Sequence, residues 1–220
     1  MNKPSIILII ACSLDGRIAL PIGGKTHLGT SEDKKILNKA LLDVDATLFG
    51  SGTLVAHQCT YLVKENLFSN NSTISDFQPI SIVAGDHRKF SNEWKYFRQP
   101  ISRWLINCNQ TTYEKINGFD KQFLFRNSWK ETFNFLYNEG INKIGLLGGS
   151  KLITSIAYEN LIDEIKITIV PKLVGGKYLW IKDIFKSDEL NLQESWEVNS
   201  IKNLETNEIF IHYTKKIQNF

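Results

Sequence analysis

Residues 5–12 (SIILIIAC) are apolar at consecutive positions rather than at alternate ones. A strand with this pattern is buried on both faces, which is typical of a parallel sheet covered by helices on each side. Short apolar runs predict further strands at 45–50, 79–84, 102–107, 122–125 and 143–147. Amphipathic segments that begin near Thr30 or Ser31, at Ser128 and at Ser150 predict helices between them. The sequence therefore predicts an α/β fold with a mostly parallel central sheet flanked by helices.

The C-terminal part has a different pattern. Residues 164–170 alternate with charged positions, and residues 194–199 can pair with residues 208–213 across a turn near 205–207. This arrangement predicts an antiparallel hairpin at one edge of the sheet. His212 lies opposite Ile209 and Ile211 in the alternation, so we expect its side chain to be exposed. Because no repeat, linker or break in composition interrupts the chain, we expect a single domain over residues 1–220.

Composition argues against several classes of function. The chain has 26 basic and 23 acidic residues, a net charge of +3, and its lysines are scattered among acids, which favours a solvated surface over a nucleic-acid footprint. Its apolar runs are far shorter than the ~20 residues of a membrane span, and no signal peptide opens the chain. Three cysteines without metal-ligand spacing predict no metal site and a reducing compartment. We therefore expect a cytoplasmic protein that binds neither membrane nor nucleic acid.

Two glycine-rich turns each follow a predicted buried strand and open onto a predicted helix. They are residues 50–53 (GSGT) and 148–150 (GGS). At the carboxyl end of a parallel strand, free N–H groups and the positive end of a helix dipole can face an anion. Neither turn matches the G-x-G-x-x-G or P-loop pattern, and glycines in such a turn, taken alone, more often form a tight turn than a phosphate cradle. Because the two turns follow two strands of one sheet, a phosphate-binding site is as good an explanation for them as tight turns.

Other polar residues lie near the same rim. Asp15 follows the first strand and can serve as an acid or base, as a substrate anchor, or only as the former of an Asp-Gly turn. The double glycine at 175–176 ends a further strand, where a turn is a better explanation than a ligand contact. His27 and His57 fall in loops at the rim, and neither has an evident partner.

Four motifs occur in order across residues 5–176. They are 11–17 (ACSLDGR), 45–53 (DATLFGSGT), 147–150 (LGGS) and 161–165 (LIDEI) followed by 171–176 (PKLVGG). Together they resemble the reductase domain of bacterial riboflavin biosynthesis, which is related in fold to dihydrofolate reductase. The resemblance implies an NADPH-dependent homodimeric reductase that converts the ribosyl group of 5-amino-6-(5-phosphoribosylamino)uracil to ribityl by hydride transfer. The deaminase zinc signature H-x-E…P-C-x-x-C is missing, so we expect a stand-alone reductase.

The resemblance also assigns roles to residues. It implies that residues 149–155 hold the cofactor phosphates and that Arg88 or Lys89 reaches a 2′-phosphate, and among the candidates at the rim we take Asp15 as the catalytic residue. The implied cofactor-binding residues are Ala11, His27, Gly50, Thr53, Asp86, Gly148, Gly149, Ser150, Lys151 and Leu152. The implied substrate-binding residues are Lys25, His57, Tyr61, Lys64 and Leu147.

The chain departs from the family pattern mainly on the substrate side. Leu147 stands where the family has a glutamate, His57 where it has an acid, and Lys64 where an arginine holds the substrate phosphate. Leu41 and His27 replace a family arginine and tryptophan. Loss of two carboxylates leaves the pyrimidine N–H donors in need of new acceptors, for which Asp43 or Glu65 are candidates. Two alternatives follow, a reductase of another pteridine- or pyrimidine-like heterocycle and a nucleotide-binding relative without turnover.

Overall fold

A computed structural model describes residues 2–24, 28–65, 72–88, 90–108, 115–182 and 196–216. The strands are β1 (Ser5–Ser13), β2 (Ala46–Gly50), β3 (Lys64–Glu65), β4 (Thr73–Ile74), β5 (Ile80–Gly85), β6 (Arg103–Asn107), β7 (Lys121–Leu124), β8 (Lys143–Gly148), β9 (Glu164–Val170), β10 (Trp196–Asn203) and β11 (Ile209–Lys215). The helices are α1 (Ser31–Leu41), α2 (Ser51–His57), α3 (Trp129–Asn138) and α4 (Ser150–Tyr158), with a 3₁₀ turn at Lys95–Arg98.

Within the described ranges, nine of these strands form one sheet in the order β10-β11-β9-β1-β8-β2-β5-β6-β7. All neighbours from β9 to β7 are parallel, whereas β11 is antiparallel to both β9 and β10. The predicted α/β architecture with an antiparallel edge hairpin is confirmed. The hairpin is longer than predicted because residues 200–203 also pair, as far as Asn203 with Ile209.

Strand β1 is buried on both faces, as its continuous apolar run predicted. Ile6 and Leu8 belong to the core beneath α3 and α4, whereas Ile7 and Ile9 belong to a second core beneath α1. Leu41 is fully buried in that second core. The residue that replaces a family arginine at this position is therefore part of the packing of α1 on the sheet.

Side-chain N-caps mark the beginnings of α1 and α3 at positions that the sequence indicated. The hydroxyl of Thr30 accepts a hydrogen bond from the Glu32 N–H at 3.3 Å, and that of Ser128 accepts one from the Glu131 N–H at 3.1 Å. These bonds satisfy backbone donors that a helix N-terminus otherwise leaves free. The N-termini of α1 and α3 are thus both capped by side chains.

Two polar parts of the chain are held by contacts with distant residues. Glu65 and Thr73 pair in the short β3–β4 ribbon, which Asn38 supports by accepting from the Lys64 N–H at 2.8 Å. His212 was expected to be exposed, but its side chain is only 18 % exposed and its Nε2 lies 2.8 Å from Glu164 Oε2. Because β11 lies between β9 and β10, its polar face has cross-strand neighbours.

Candidate functional site

A cavity of about 700 Å³ opens at the carboxyl ends of the central parallel strands. Both glycine turns lie in its wall, because β2 and β8 are adjacent parallel strands and end side by side. The turns touch: a Cβ atom built on Gly50 would lie 4.0 Å from the Cα of Gly149. The prediction that the two turns share one rim of the sheet is confirmed.

The beginning of α4 differs from the capped helices α1 and α3. Its N-cap is Gly149, which provides no side-chain hydrogen bond, and both Gly148 and Gly149 have positive φ, at +124° and +82°. The Ser150 hydroxyl is buried and has no hydrogen-bond partner within the described part of the chain. Uncapped N–H groups, a buried unused hydroxyl and the helix dipole together suit a bound phosphate.

A second cavity of about 370 Å³ adjoins the first. The two share a mostly apolar set of wall residues, which are Ala11, Ile18, Asp33, Leu37, Thr53, His57 and Leu147. We call the first the large chamber and the second the small chamber. A dinucleotide-sized space therefore meets a smaller one, an arrangement that can hold two reactants in contact.

The structure brings most of the predicted site residues into these walls. The large chamber is lined by the predicted cofactor residues Ala11, Gly50, Thr53, Gly148, Gly149, Ser150, Lys151 and Leu152. The small chamber is lined by the predicted substrate residues His57, Tyr61 and Leu147. Lys64, Asp15 and Asp86 are not in either wall. Lys25, His27 and Lys89 lie outside the described residues.

Asp15 is engaged by the backbone beside the cavity. Its carboxylate accepts hydrogen bonds from the Ser13 hydroxyl at 2.5 Å and from the N–H groups of Val174 and Gly175 at 3.1 and 2.7 Å. These bonds, with that from Ser13 the strongest, hold the pKa of Asp15 far below its ordinary value. A carboxylate that stays ionised at every physiological pH cannot donate a proton. The geometry favours a turn anchor, which also explains the double glycine at 175–176 as a turn.

Asp86 and Arg88 form an exposed pair just beyond Gly85, whose backbone reaches the large chamber. The Arg88 guanidinium donates to both oxygens of Asp86, with Nη2 2.6 Å from Oδ2. The side chain of Arg88 is 70 % exposed. Its guanidinium is therefore outside the chamber wall and is already paired with a carboxylate.

The carboxylates suggested as replacement acceptors lie elsewhere. Asp43 is exposed and pairs with Lys143 at 2.9 Å, and Glu65 accepts from the Ser75 hydroxyl at 3.3 Å. Neither lines a chamber. The suggestion that either of them replaces the lost acceptors is therefore wrong.

Asp33, which was not predicted as a site residue, is the acid that lies in the chamber walls. Among the described residues it is the one carboxylate that lines either chamber, and it lines both. The signal in the sequence was its spacing: Asp33, Leu37 and Leu41 recur every four residues and so share one face of α1. An acid on the apolar face of a helix is unusual. Acids in the first turn of a helix are common, however, because they complement the helix dipole, and for this reason Asp33 did not stand out in the sequence.

Cys12 and Cys108 are poor nucleophiles. Cys108 lines the large chamber, where burial raises the pKa of its thiol to about 11. Burial likewise raises the pKa of Cys12 to about 11, with a further contribution from Asp15.

Among the described residues no cluster of His, Cys, Asp and Glu forms a metal site. None of the described helices is long and apolar enough to cross a membrane.

The fold and chambers define an α/β protein of the dihydrofolate-reductase-like class. The structure superposes on dihydrofolate reductase from Enterococcus faecalis with a TM-score of 0.57 at 15 % identity, covering 98 % of this chain and 99 % of that one. Residues 4–202 match the model of the RibD C-terminal domain. The chain belongs to the RibD C-terminal domain family.

Individual relatives agree with this assignment. The riboflavin biosynthesis protein RibD of Haemophilus influenzae is 24 % identical over 98 % of this chain, which spans 59 % of that protein. The 2,5-diamino-6-ribosylamino-4(3H)-pyrimidinone 5′-phosphate reductase of Archaeoglobus fulgidus is 24 % identical over 80 % of this chain and 84 % of that one. Acinetobacter baumannii RibD superposes with a TM-score of 0.79 at 18 % identity, over 98 % of this chain and 59 % of that one.

Proposed function

We propose that the protein is an NADPH-dependent reductase of riboflavin biosynthesis that acts on a phosphorylated ribosylaminopyrimidine. The observation that carries the proposal is the joined pair of chambers, in which an uncapped glycine turn with the unused Ser150 hydroxyl faces the large chamber. Relatives are named as reductases of a ribosylaminopyrimidinone phosphate. Their substrate class has a ring that suits the apolar small chamber.

The residues of the chain bind and orient the two reactants. The first turn of α4 and the Ser150 hydroxyl hold the cofactor phosphates, while Ala11 and Thr53 lie where the two chambers meet. NADPH, when bound, supplies a hydride for C1′ of the opened sugar imine. Leu147 and Leu37 exclude water from the junction, so the protein accelerates the reaction mainly by alignment and desolvation.

The decisive experiment mixes the purified protein with NADPH and, separately, with 5-amino-6-(5-phosphoribosylamino)uracil and the diaminopyrimidinone phosphate, and follows the nicotinamide absorbance. Substrate-dependent loss of absorbance is expected with one or both compounds. Binding of NADPH without oxidation by either compound would favour the second candidate, a nucleotide-binding relative without turnover. A third reaction contains NADPH and an unphosphorylated pteridine, and oxidation in that reaction alone would favour a reductase of another heterocycle.

The cation that meets the substrate phosphate is expected to be Lys34 rather than Lys64. Lys34 lines the small chamber, whereas the exposed Lys64 lies outside both walls. Replacement of Lys34 by alanine should raise KM for the phosphorylated substrate about tenfold and leave KM for the dephosphorylated form unchanged. Lys64→Ala is the matched control and should change neither KM. A selective effect of Lys64→Ala instead would restore the original assignment of Lys64.

We also propose that the protein is a cytoplasmic homodimer. Among the described strands β10 lies at an edge of the sheet, and Val198 and Ile201 on it are exposed apolar side chains. Unpaired strand edges favour association through the backbone. Light scattering should give a mass of twice 25.2 kDa, and a monomeric mass at micromolar concentration would refute this expectation.

A further inference from the structure

Asp33 supplies a carboxylate to a wall that is otherwise largely apolar. It lines the junction of the two chambers together with Ile18, Leu37 and Leu147. A partly desolvated carboxylate in such surroundings requires hydrogen-bond donors, and it is costly to leave without them. The ligand that occupies the small chamber is therefore expected to bring N–H groups to this point.

The carboxylate is held in place from two sides. The hydroxyl of Thr168, which is 2 % exposed on β9, donates a hydrogen bond to it. On the other side Gly29 leaves room for it, because a Cβ atom at that position would collide with the Asp33 carboxylate. A side chain fixed in this way presents its remaining lone pairs in one direction, as a recognition element does.

The electrostatic surroundings agree with such a role. Burial is the main cause that raises the pKa of Asp33, the nearby Glu208 raises it further, and Thr168 and Lys34 oppose the rise. The energetic cost of the ionised form falls when N–H donors from a ligand bond to it. Among the described residues, His57 is the other titratable side chain in the shared wall.

We infer that Asp33 binds the adjacent N3–H and 2-amino donors of a 2-aminopyrimidin-4(3H)-one ring, and that the protein therefore selects the diaminopyrimidinone phosphate over the corresponding uracil. This inference rests on the proposed function and specifies its substrate. Two parallel N–H donors match the two oxygens of a carboxylate. In the uracil, a carbonyl oxygen replaces the 2-amino group and would face the carboxylate with like partial charge.

The uracil does offer another pair of neighbouring donors, at N1 and at the exocyclic 6-nitrogen. In the neutral reacting imine, however, the 6-nitrogen is double-bonded to C1′ and carries no hydrogen until hydride adds to C1′ and a proton from water reaches the nitrogen, so that pair is incomplete as the transfer begins. The 2-amino and N3–H pair is unchanged throughout the reaction. Only the 2-aminopyrimidinone therefore keeps both hydrogen bonds to Asp33 in the transition state.

The test measures kcat/KM for both compounds in the wild type, Asp33→Asn and Gly29→Ala. The wild type should prefer the diaminopyrimidinone at least ~tenfold. Asp33→Asn should remove this preference through KM, and Gly29→Ala should reduce it because the carboxylate is displaced but retained. Glu32→Gln is the matched control: it makes the same charge change on the same helix turn outside both chambers, and should keep the preference.

Calorimetric binding of both compounds separates this inference from the proposed function. Equal use of both compounds by the wild type, or equal losses for both in Asp33→Asn, would overturn the inference and leave the reductase assignment intact. If neither compound is reduced, the proposed function fails, and binding then decides: tighter, Asp33-dependent binding of the diaminopyrimidinone supports the inference, and any other pattern refutes it.

Discussion

Replacement of Gly149 by valine is expected to weaken NADPH binding at least ~100-fold. A side chain here would lie in the chamber wall where the phosphates are expected, and its Cβ would lie only 3.1 Å from the Thr53 hydroxyl. Loss of two charge-assisted hydrogen bonds, each worth about 1.5–3 kcal/mol, accounts for an effect of this size. The measurement is the dissociation constant from quenching of protein fluorescence by NADPH.

The variant also has a backbone cost, which needs its own control. Gly149 has φ of +82°, and a β-branched residue there costs about 1–2 kcal/mol whether or not a ligand binds. Gly140→Val is a matched variant, because Gly140 has φ of +92° with open space around it and ends α3 outside both chambers. It should lose similar stability and bind NADPH normally. Equal affinities of the two variants for NADPH would show that the glycine turn at Gly149 does not bind the cofactor phosphates.

The positions of the strands and of the two glycine turns were predictable because they depend on local patterns. A continuous apolar run specifies a strand buried on two faces, and a glycine pair after it specifies a turn at the carboxyl end. Once β2 and β8 were known to be strands of one sheet, their turns had to lie at one rim. The cofactor half of the site follows from these few regularities.

The substrate half was less predictable because it depends on side chains that converge from distant elements. Alignment with the family pattern placed Lys64 and two candidate acids by their position in the chain, whereas the chamber wall is decided by which face of α1 packs on the sheet. That face carries Asp33 and Leu37. The exposure of His212 was likewise misjudged, since its partner Glu164 belongs to another strand.

The sequence left open whether Asp15 is a catalytic residue or a turn anchor, and replacement of Asp15 by asparagine distinguishes these two roles. Asp15→Asn places an amide where the N–H groups of Val174 and Gly175 now donate to a carboxylate. The segment that follows carries Lys177, Tyr178 and Lys182 into the wall of the large chamber. We expect KM for NADPH to rise about tenfold as this wall shifts, with kcat little changed. Steady-state kinetics at saturating substrate measures both.

The dependence on pH distinguishes a turn anchor from a proton donor. Because folding lowers the pKa of Asp15, its stabilising effect is complete above the unfolded value of about 3.9 and is lost as pH falls through the lower folded value. Asp15→Asn should therefore unfold at a lower temperature than the wild type at pH 7, and the difference should shrink below pH ~3.9. Its kcat profile from pH 6 to 9 should keep the shape of the wild type. If kcat falls steeply and one limb of that profile disappears, Asp15 is the catalytic residue that its position after the first strand predicted.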